Sequence, residues 1–529
     1  MALSREAFVR SSTRGAVLGA ALCLCAPLLF LATAPGELAP GLWAHLREVM
    51  LPRALAQTLV LMGGVGAFAL VVGVAAAWLV VRHEFAGRRV VEVLLALPMA
   101  FPAYVLAYAF VAGFSFDAPL ATAWRDLGLP AAAFPEMRSL GGAVLVLGLA
   151  LYPYVYLMMR ARLQREGSAA FDAARLLGAS PRRAFVRVVL PATRPAWLGA
   201  LGLVLFETLA DFGAMQMLGR DTLTTLVIQA WKGLQSLVLA AQLSLAMLGA
   251  VLLALLIAHA FGATGAPPSP ELRAPRRQRL GAITSGLVLL GAAIPIGLGV
   301  VFPLLQLMRW LPADALAAMP WDALRGTLVI AGTTALAAVA IGLGIGAARR
   351  RFPHDRWLAA GAGAAGLGYA VPGAVMAIAV FWFLLSLERA IGPAAQALGL
   401  STGLFAVVLA LLMRFQRVGL SATGAALATL RPSLMQSAAL LGHGRVARWW
   451  RIGLPVLRPG LLAAALLVFV EAMKELPATL MLRPFGWDTL AVRVYIATSE
   501  GLWAQAALPA LLLVAVGLLP LLLLLRGRT

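Results

Sequence analysis

Two short stretches carry acids where an apolar run should exclude them. FETLADFGAM, residues 206–215, holds Glu207 and Asp211 four positions apart. FVEAMKELPATLML, residues 469–482, holds Glu471 and Glu475 at the same spacing, with Lys474 between them. The stretches align at an offset of 264, Glu207 with Glu471 and Asp211 with Glu475. On a continuous helix, that spacing puts both carboxylates of a pair on one face. Charge in hydrocarbon is costly and faces the bundle interior or a water-filled path. Two roles stay open. The acids could line a cation path, where oxygen ligands suit a hard metal such as ferric iron. They could instead pair with Lys474 and buttress loop ends. With every group ionised, the zone is formally −3. A path must also release what it binds, so direct coordination is not required.

The elements that hold these residues follow from composition. Of 529 residues, 62% are hydrophobic and 12% charged, half the charge a soluble surface carries. Mean hydropathy is +0.90. The apolar runs have helical rather than strand length, so the chain reads as an all-α polytopic membrane protein. About twelve spans are predicted: 15–34, 55–81, 90–114, 140–159, 196–218, 236–262, 282–304, 326–348, 357–386, 403–413, 460–482 and 503–525. With both termini in the cytoplasm, inside segments hold 31 Lys/Arg and outside segments 11. That asymmetry sets the orientation and accounts for the net charge of +21 without nucleic acid. Cys23 and Cys25 form no disulfide framework, and the five histidines are scattered, so no metal cluster is predicted. Nor is any nucleophile–base constellation visible.

The first span follows Arg5, Arg10 and Arg14 and ends in LATA, a build that resembles a signal peptide. We expect it to be retained, because its removal would break a symmetry of six spans plus six. Residues 263–281 are Pro-rich and basic and read as a cytoplasmic linker between homologous halves, 1–262 and 282–529. The third span of each half carries prolines at matching places, Pro102 and Pro372. Interrupted helices in both halves can mark a substrate path, although Pro is also common in membrane helices.

The repeat is strongest in two basic loops: DAARLLGASPRRAFVRVVLPATRP, 172–195, and QSAALLGHGRVARWWRIGLPVLRP, 436–459. Each opens on a short helix with small residues, which let a partner approach closely. A glycine then permits a turn. Alternating basic and apolar residues follow, suited to the membrane interface.

This element resembles the EAA motif of importer-type ABC permeases. The first copy reads Asp172-Ala173-Ala174, Gly178, Val188, Leu190-Pro191; the second reads Gln436-Ser437-Ala438, Gly442, Ile452, Leu454-Pro455. Neither copy has the Glu, and the second replaces the first Ala with Ser. The resemblance implies that the loops couple to a dimer of cytoplasmic ATPase subunits. Neither Lys232 nor Lys474 belongs to a phosphate loop. ATP is therefore expected on partner subunits, with no cofactor on this chain and no enzymatic activity of its own. The stretches ETLADFGAMQMLGRDTLTT and KELPATLMLRPFGWDTLA resemble the ferric-iron branch, in which two permease halves are fused. That implies a bacterial inner-membrane importer fed by a periplasmic binding protein and working by alternating access. Asp221, Trp231, Asp488 and Trp503 lie where such a protein could dock, or in ordinary solvated loops. Thiamine, sulfate, polyamine and phosphonate permeases share the architecture. A secondary transporter using the acids as a proton relay is the rival from another class.

Overall fold

The computed structural model describes residues 2–34, 44–164, 168–262, 277–393, 396 and 399–526, apart from 316 and 318. Residues 263–276 of the expected linker lie outside the described residues. Helices dominate. Among the described residues, nine are long and apolar enough to cross a membrane, and two bent pairs raise the number to eleven. The chain is an all-α polytopic membrane protein. Among the described residues, one strand pairing is present, two residues long, His83 with Gln278 and Glu84 with Arg279.

The helices depart from the expected spans where polar residues or prolines intervene. The tenth span, expected at 403–413, is a helix over Leu404–Thr429. Arg414, Gln416 and Arg417 interrupt its apolar run and hide its length, yet Arg414 and Gln416 are buried. Arg414 therefore belongs to a helix, not to the loop in which the sequence reading placed it. The third and ninth spans are broken. Phe101 and Val371, each before a proline, are extended at φ/ψ −83/125 and −88/129. The proline ring disfavours the helical conformation in the residue before it. In the third span, the helices on either side of the break meet at 93°.

Two compact units interleave the sequence halves. The first comprises Met1–Leu38, Ala230–Leu248 and Pro320–Arg493; the second comprises Ala39–Gln229, Gly249–Met319 and Val494–Thr529. In the first unit, the opening helix Ala2–Phe30 packs on Arg356–Ala365 and Gly373–Ile391. Asp355 fastens it there: its Oδ2 accepts hydrogen bonds from Arg10 Nε at 2.8 Å and Arg14 Nε at 2.6 Å.

Each unit is built on a close helix crossing. In the second unit, helix Leu51–Arg82 meets Leu140–Arg162 at Gly73, where a Cβ would come within 2.6 Å of Val155 Cβ. In the first unit, helix Trp321–Arg351 meets Leu404–Thr429 at Gly342, where a Cβ would come within 2.6 Å of Thr423 Oγ1. Small residues drive such approaches because lipid gives helices no hydrophobic reason to associate. Gly73 and Gly342 align at an offset of 269, which fixes the register between these helices.

Candidate functional site

The acid pairs do not share a helical face. Helix Arg194–Ala210 stops one residue before Asp211, which is extended at φ/ψ −73/117. Helix Leu454–Lys474 stops one residue before Glu475, extended at −68/124. The expected spans 196–218 and 460–482 are thus each a long helix, a break, and a short helix, Gly213–Met217 or Pro477–Leu482. The second acid of each pair causes the restart. Asp211 Oδ1 accepts from Ala214 N at 2.8 Å. Glu475 Oε1 accepts from Ala478 N, and its Oε2 from Thr479 N, both at 3.1 Å. A carboxylate at a helix start satisfies amides that would otherwise lack partners and meets the positive end of the helix dipole.

The two breaks differ in charge. Glu475 is buried and also pairs with Arg414, Nη1 to Oε1 3.3 Å. Gly373 lies against both, so that a Cβ there would collide with Glu475 Oε1. At an offset of 264, Arg414 aligns with Ala150, and Gly373 occupies the place of Ala103, each directly after its proline. The Asp211 break therefore has no arginine at the aligned position. Glu207 and Glu471 are half-buried on the last turns of their helices, and Lys474 ends its helix half-buried. Pro102 and Pro372 cap the helices Ala103–Gly113 and Gly373–Ile391 with nearly identical torsions, −57/141 and −56/143. Among the described residues, no three His, Cys, Asp or Glu side chains gather into a metal-holding group.

The repeated loops fold alike. Helices Ser168–Leu176 and Pro432–Leu440 end at Gly178 and Gly442, with φ of 84° and 80°. Ala179 N donates to Ala174 O at 3.0 Å, and His443 N to Ala438 O at 3.2 Å. Both are the six-to-one closure for which a left-handed glycine is favoured. A π-helical turn follows in each, Phe185–Val189 and Trp449–Gly453, leading into Leu190-Pro191 and Leu454-Pro455. Two leucines crown each helix end: Leu176 and Leu177 are both 89% exposed, Leu440 90% and Leu441 77%. Asp172, where the motif has Glu, pairs with Arg82 at 2.7 Å. Ala173 and Ser437 are exposed, Ala174 is half-buried, Ala438 is buried, and Gln436 is exposed.

Residues 69–265 match the family of binding-protein-dependent transport system inner membrane components. Across 95% of this chain and 96% of its relative, the sequence is 27% identical to the Fe(3+)-transport system permease protein FbpB 2 of Haemophilus influenzae. Residues 69–265 belong to this permease family. Partial relatives include the putative 2-aminoethylphosphonate permease PhnV of Salmonella typhimurium, 28% identical over 39% of this chain and 74% of its own. The sulfate permease CysW of Escherichia coli K12 is 33% identical over 28% of this chain and 49% of its own.

Several positions in the permease are marked only faintly in the sequence. Arg414 was signalled only by a cation in an apolar helix, and Gly373 only by following a proline. A third feature is repeated: Leu223 N donates to Thr58 Oγ1 at 3.0 Å, and Leu490 N to Thr327 Oγ1 at 2.8 Å. The common tripeptide Asp-Thr-Leu, 221–223 and 488–490, was its trace. The outer-loop residues have partners within the permease: Asp221 pairs with Arg53, Asp488 with Arg483 and Arg493. Trp231 packs on Phe381. Trp503 stacks on Tyr108 at 5.5 Å and accepts its hydroxyl proton on the backbone carbonyl at 2.7 Å.

Proposed function

We propose that this permease carries ferric iron across the bacterial inner membrane, driven by ATP hydrolysis on a separate ATPase dimer. The observation behind the cargo is the near-full-length likeness to an Fe(3+)-transport permease. The partial relatives named for sulfate and 2-aminoethylphosphonate align with less of the chain.

Iron arrives on a periplasmic binding protein, and both termini of the permease lie in the cytoplasm, as the distribution of arginines favours. The 172–191 and 436–455 loops dock on the ATPases through Leu176, Leu177, Leu440 and Leu441. Four such exposed leucines on helix ends call for an apolar partner surface. The broken helices at Asp211, Glu475, Pro102 and Pro372 supply the joints for alternating access. Glu475 acts there as a positioning residue, since its oxygens are committed to Arg414 and two amides. Glu207 and Glu471 are assigned to the path. This reading calls for no cofactor on the chain. Iron passes as substrate, consistent with a path that binds weakly enough to release.

The test is uptake of labelled ferric iron by cells lacking this chain, with and without its restoration, alongside labelled thiamine and sulfate. Restoration of iron uptake alone establishes the cargo. Restoration of thiamine or sulfate uptake instead overturns it and leaves the permease assignment standing.

A further inference from the structure

In the first compact unit, two cavities adjoin across one arginine. One, of ≈ 770 Å³, is lined by Arg349, Arg350, Arg417 and Arg431; the other, of ≈ 930 Å³, by Arg350, Arg351 and Arg448. They share Arg350, Leu427, Leu430 and Pro432. Among the described residues, no carboxylate lines either cavity. Among the described residues, none of the six arginines forms an ion pair. Arg350 is pinned between the cavities by donating to the carbonyls of Leu427 and Leu430. Arg448 donates to Met435 O at 3.2 Å.

The homologous place in the second unit is built differently. There Trp78 packs on Phe171 at 5.0 Å and on Phe185 at 4.7 Å. Arg82 lies over Phe171 and is neutralised by Asp172. The aligned residues of the first unit are Ala347, Met435, Trp449, Arg351 and Gln436. The large Trp78 ring has become a methyl group, and the acid an amide. Of the six arginines, only Arg351 has a basic counterpart. The other five align with Val80, Val81, Pro153, Gly167 and Ala184. A bias that merely fixed orientation would not need to concentrate five new cations on one pair of cavities in one half.

We infer that these cavities are a binding site for a phosphate-bearing anion, held by the Arg349–Arg351, Arg417, Arg431 and Arg448 guanidinium groups. The planar fork of arginine matches phosphate oxygens two at a time. Leu427 and Leu430 give both cavities an apolar wall, to which Trp449 adds in the larger one. That mixture suits an anionic phospholipid headgroup with its glycerol and first methylenes, as basic pockets between membrane helices bind such lipids. A soluble phosphate ester offers the same anion without the apolar part. The site adjoins the 436–455 loop through Met435 and Gln436, and does not depend on the identity of the cargo.

The experiment is native mass spectrometry of the purified full chain with phosphatidylglycerol, with phosphatidylcholine, and with glycerol 3-phosphate alone. One variant, Arg349→Gln/Arg417→Gln/Arg431→Gln, leaves the Arg350 clamp intact. A second, Ser421→Asp, keeps every arginine and places an acid on the lining. Arg182→Gln/Arg183→Gln/Arg187→Gln, on exposed residues of the other loop, controls for lost charge. We expect phosphatidylglycerol to be retained over phosphatidylcholine, with retention falling about tenfold or more in both cavity variants and little in the control. Retention of glycerol 3-phosphate lost in the same variants assigns the site to a soluble ester instead. Equal losses in control and cavity variants, or no preference for the anionic species, overturn the inference.

Discussion

Arg414 and Glu475 form an ion pair inside the permease, Nη1 to Oε1 3.3 Å, with side chains 11% and 2% exposed. The pair joins a helix that looks uninterrupted, Leu404–Thr429, to one that is broken at Glu475. Removing one member strands a buried charge, typically at a cost of about 3–5 kcal/mol. Arg414→Met should therefore sharply lower the thermal midpoint of the purified permease. Glu475→Gln keeps an oxygen acceptor for the short helix but leaves the Arg414 charge without its counter-ion, so it too should cost about 3–5 kcal/mol. The double variant should be milder than Arg414→Met alone.

Gly373 makes room for that pair. Gly373→Ala pushes a methyl group onto Glu475 Oε1 and Arg414 Nη1. Overpacking of this kind costs about 1–3 kcal/mol. Ala103 already carries the methyl in the other half, so Ala103→Gly should leave the thermal midpoint close to wild type. Similar losses in both variants would refute the asymmetry.

Leu176→Ser/Leu177→Ser removes side chains that touch little within the permease. Its stability should move by no more than about 0.5 kcal/mol, while transport-linked ATP hydrolysis in the assembled complex falls. Unchanged hydrolysis would remove these leucines from the docking surface. Gly178→Ala is different, because φ of 84° strains any residue with a Cβ. It should lose about 1 kcal/mol of stability or more as well as coupling.

Asp355 ties the first helix to Arg356–Ala365. The hydrogen bond from Arg14, with those from Arg10 and Trp357 N, holds its carboxyl well below the usual range against the opposing effect of burial. A depressed carboxyl stabilises the folded state above its unfolded pKa, about 3.9. That contribution is lost as pH falls through the lower folded value, so neutral pH should leave the tie intact. Cys25 reports on it, since its Sγ donates to Ala364 O at 3.4 Å. In a Cys23→Ser background, Asp355→Asn should raise the alkylation rate of Cys25 at pH 7. No change in the asparagine variant would show that the apolar contacts alone seat the helix.

Much of the permease was legible because its repeats are carried by residue types with one main physical use. Gly178 and Gly442 announced helix ends, and both are left-handed closures. Pro102 and Pro372 announced interruptions, and both begin helices after an extended residue. What escaped was set by partners distant in sequence. Four-residue spacing implies a shared face only on an unbroken helix, and nothing in ETLADFG says that Asp211 prefers capping Ala214 to continuing the helix. Arg414 looked like a loop cation because apolarity was the criterion for a span, whereas Glu475, 61 positions away, makes its burial tolerable. The interleaving of halves was invisible for the same reason, since no local pattern records which neighbour a hydrophobic helix chooses.

That interleaving bears on how the molecule is made. Arg14 and Asp355 are separated by 341 positions, so the helix that carries Arg14 must wait for its partner while the chain between them is synthesised. Two arginines near its start can hold it at the interface meanwhile. A cut between the sequence halves would give fragments that each retain a piece of the other's core. Expressed apart, they should fail to mature. Expressed together, they should rescue one another as an obligate pair.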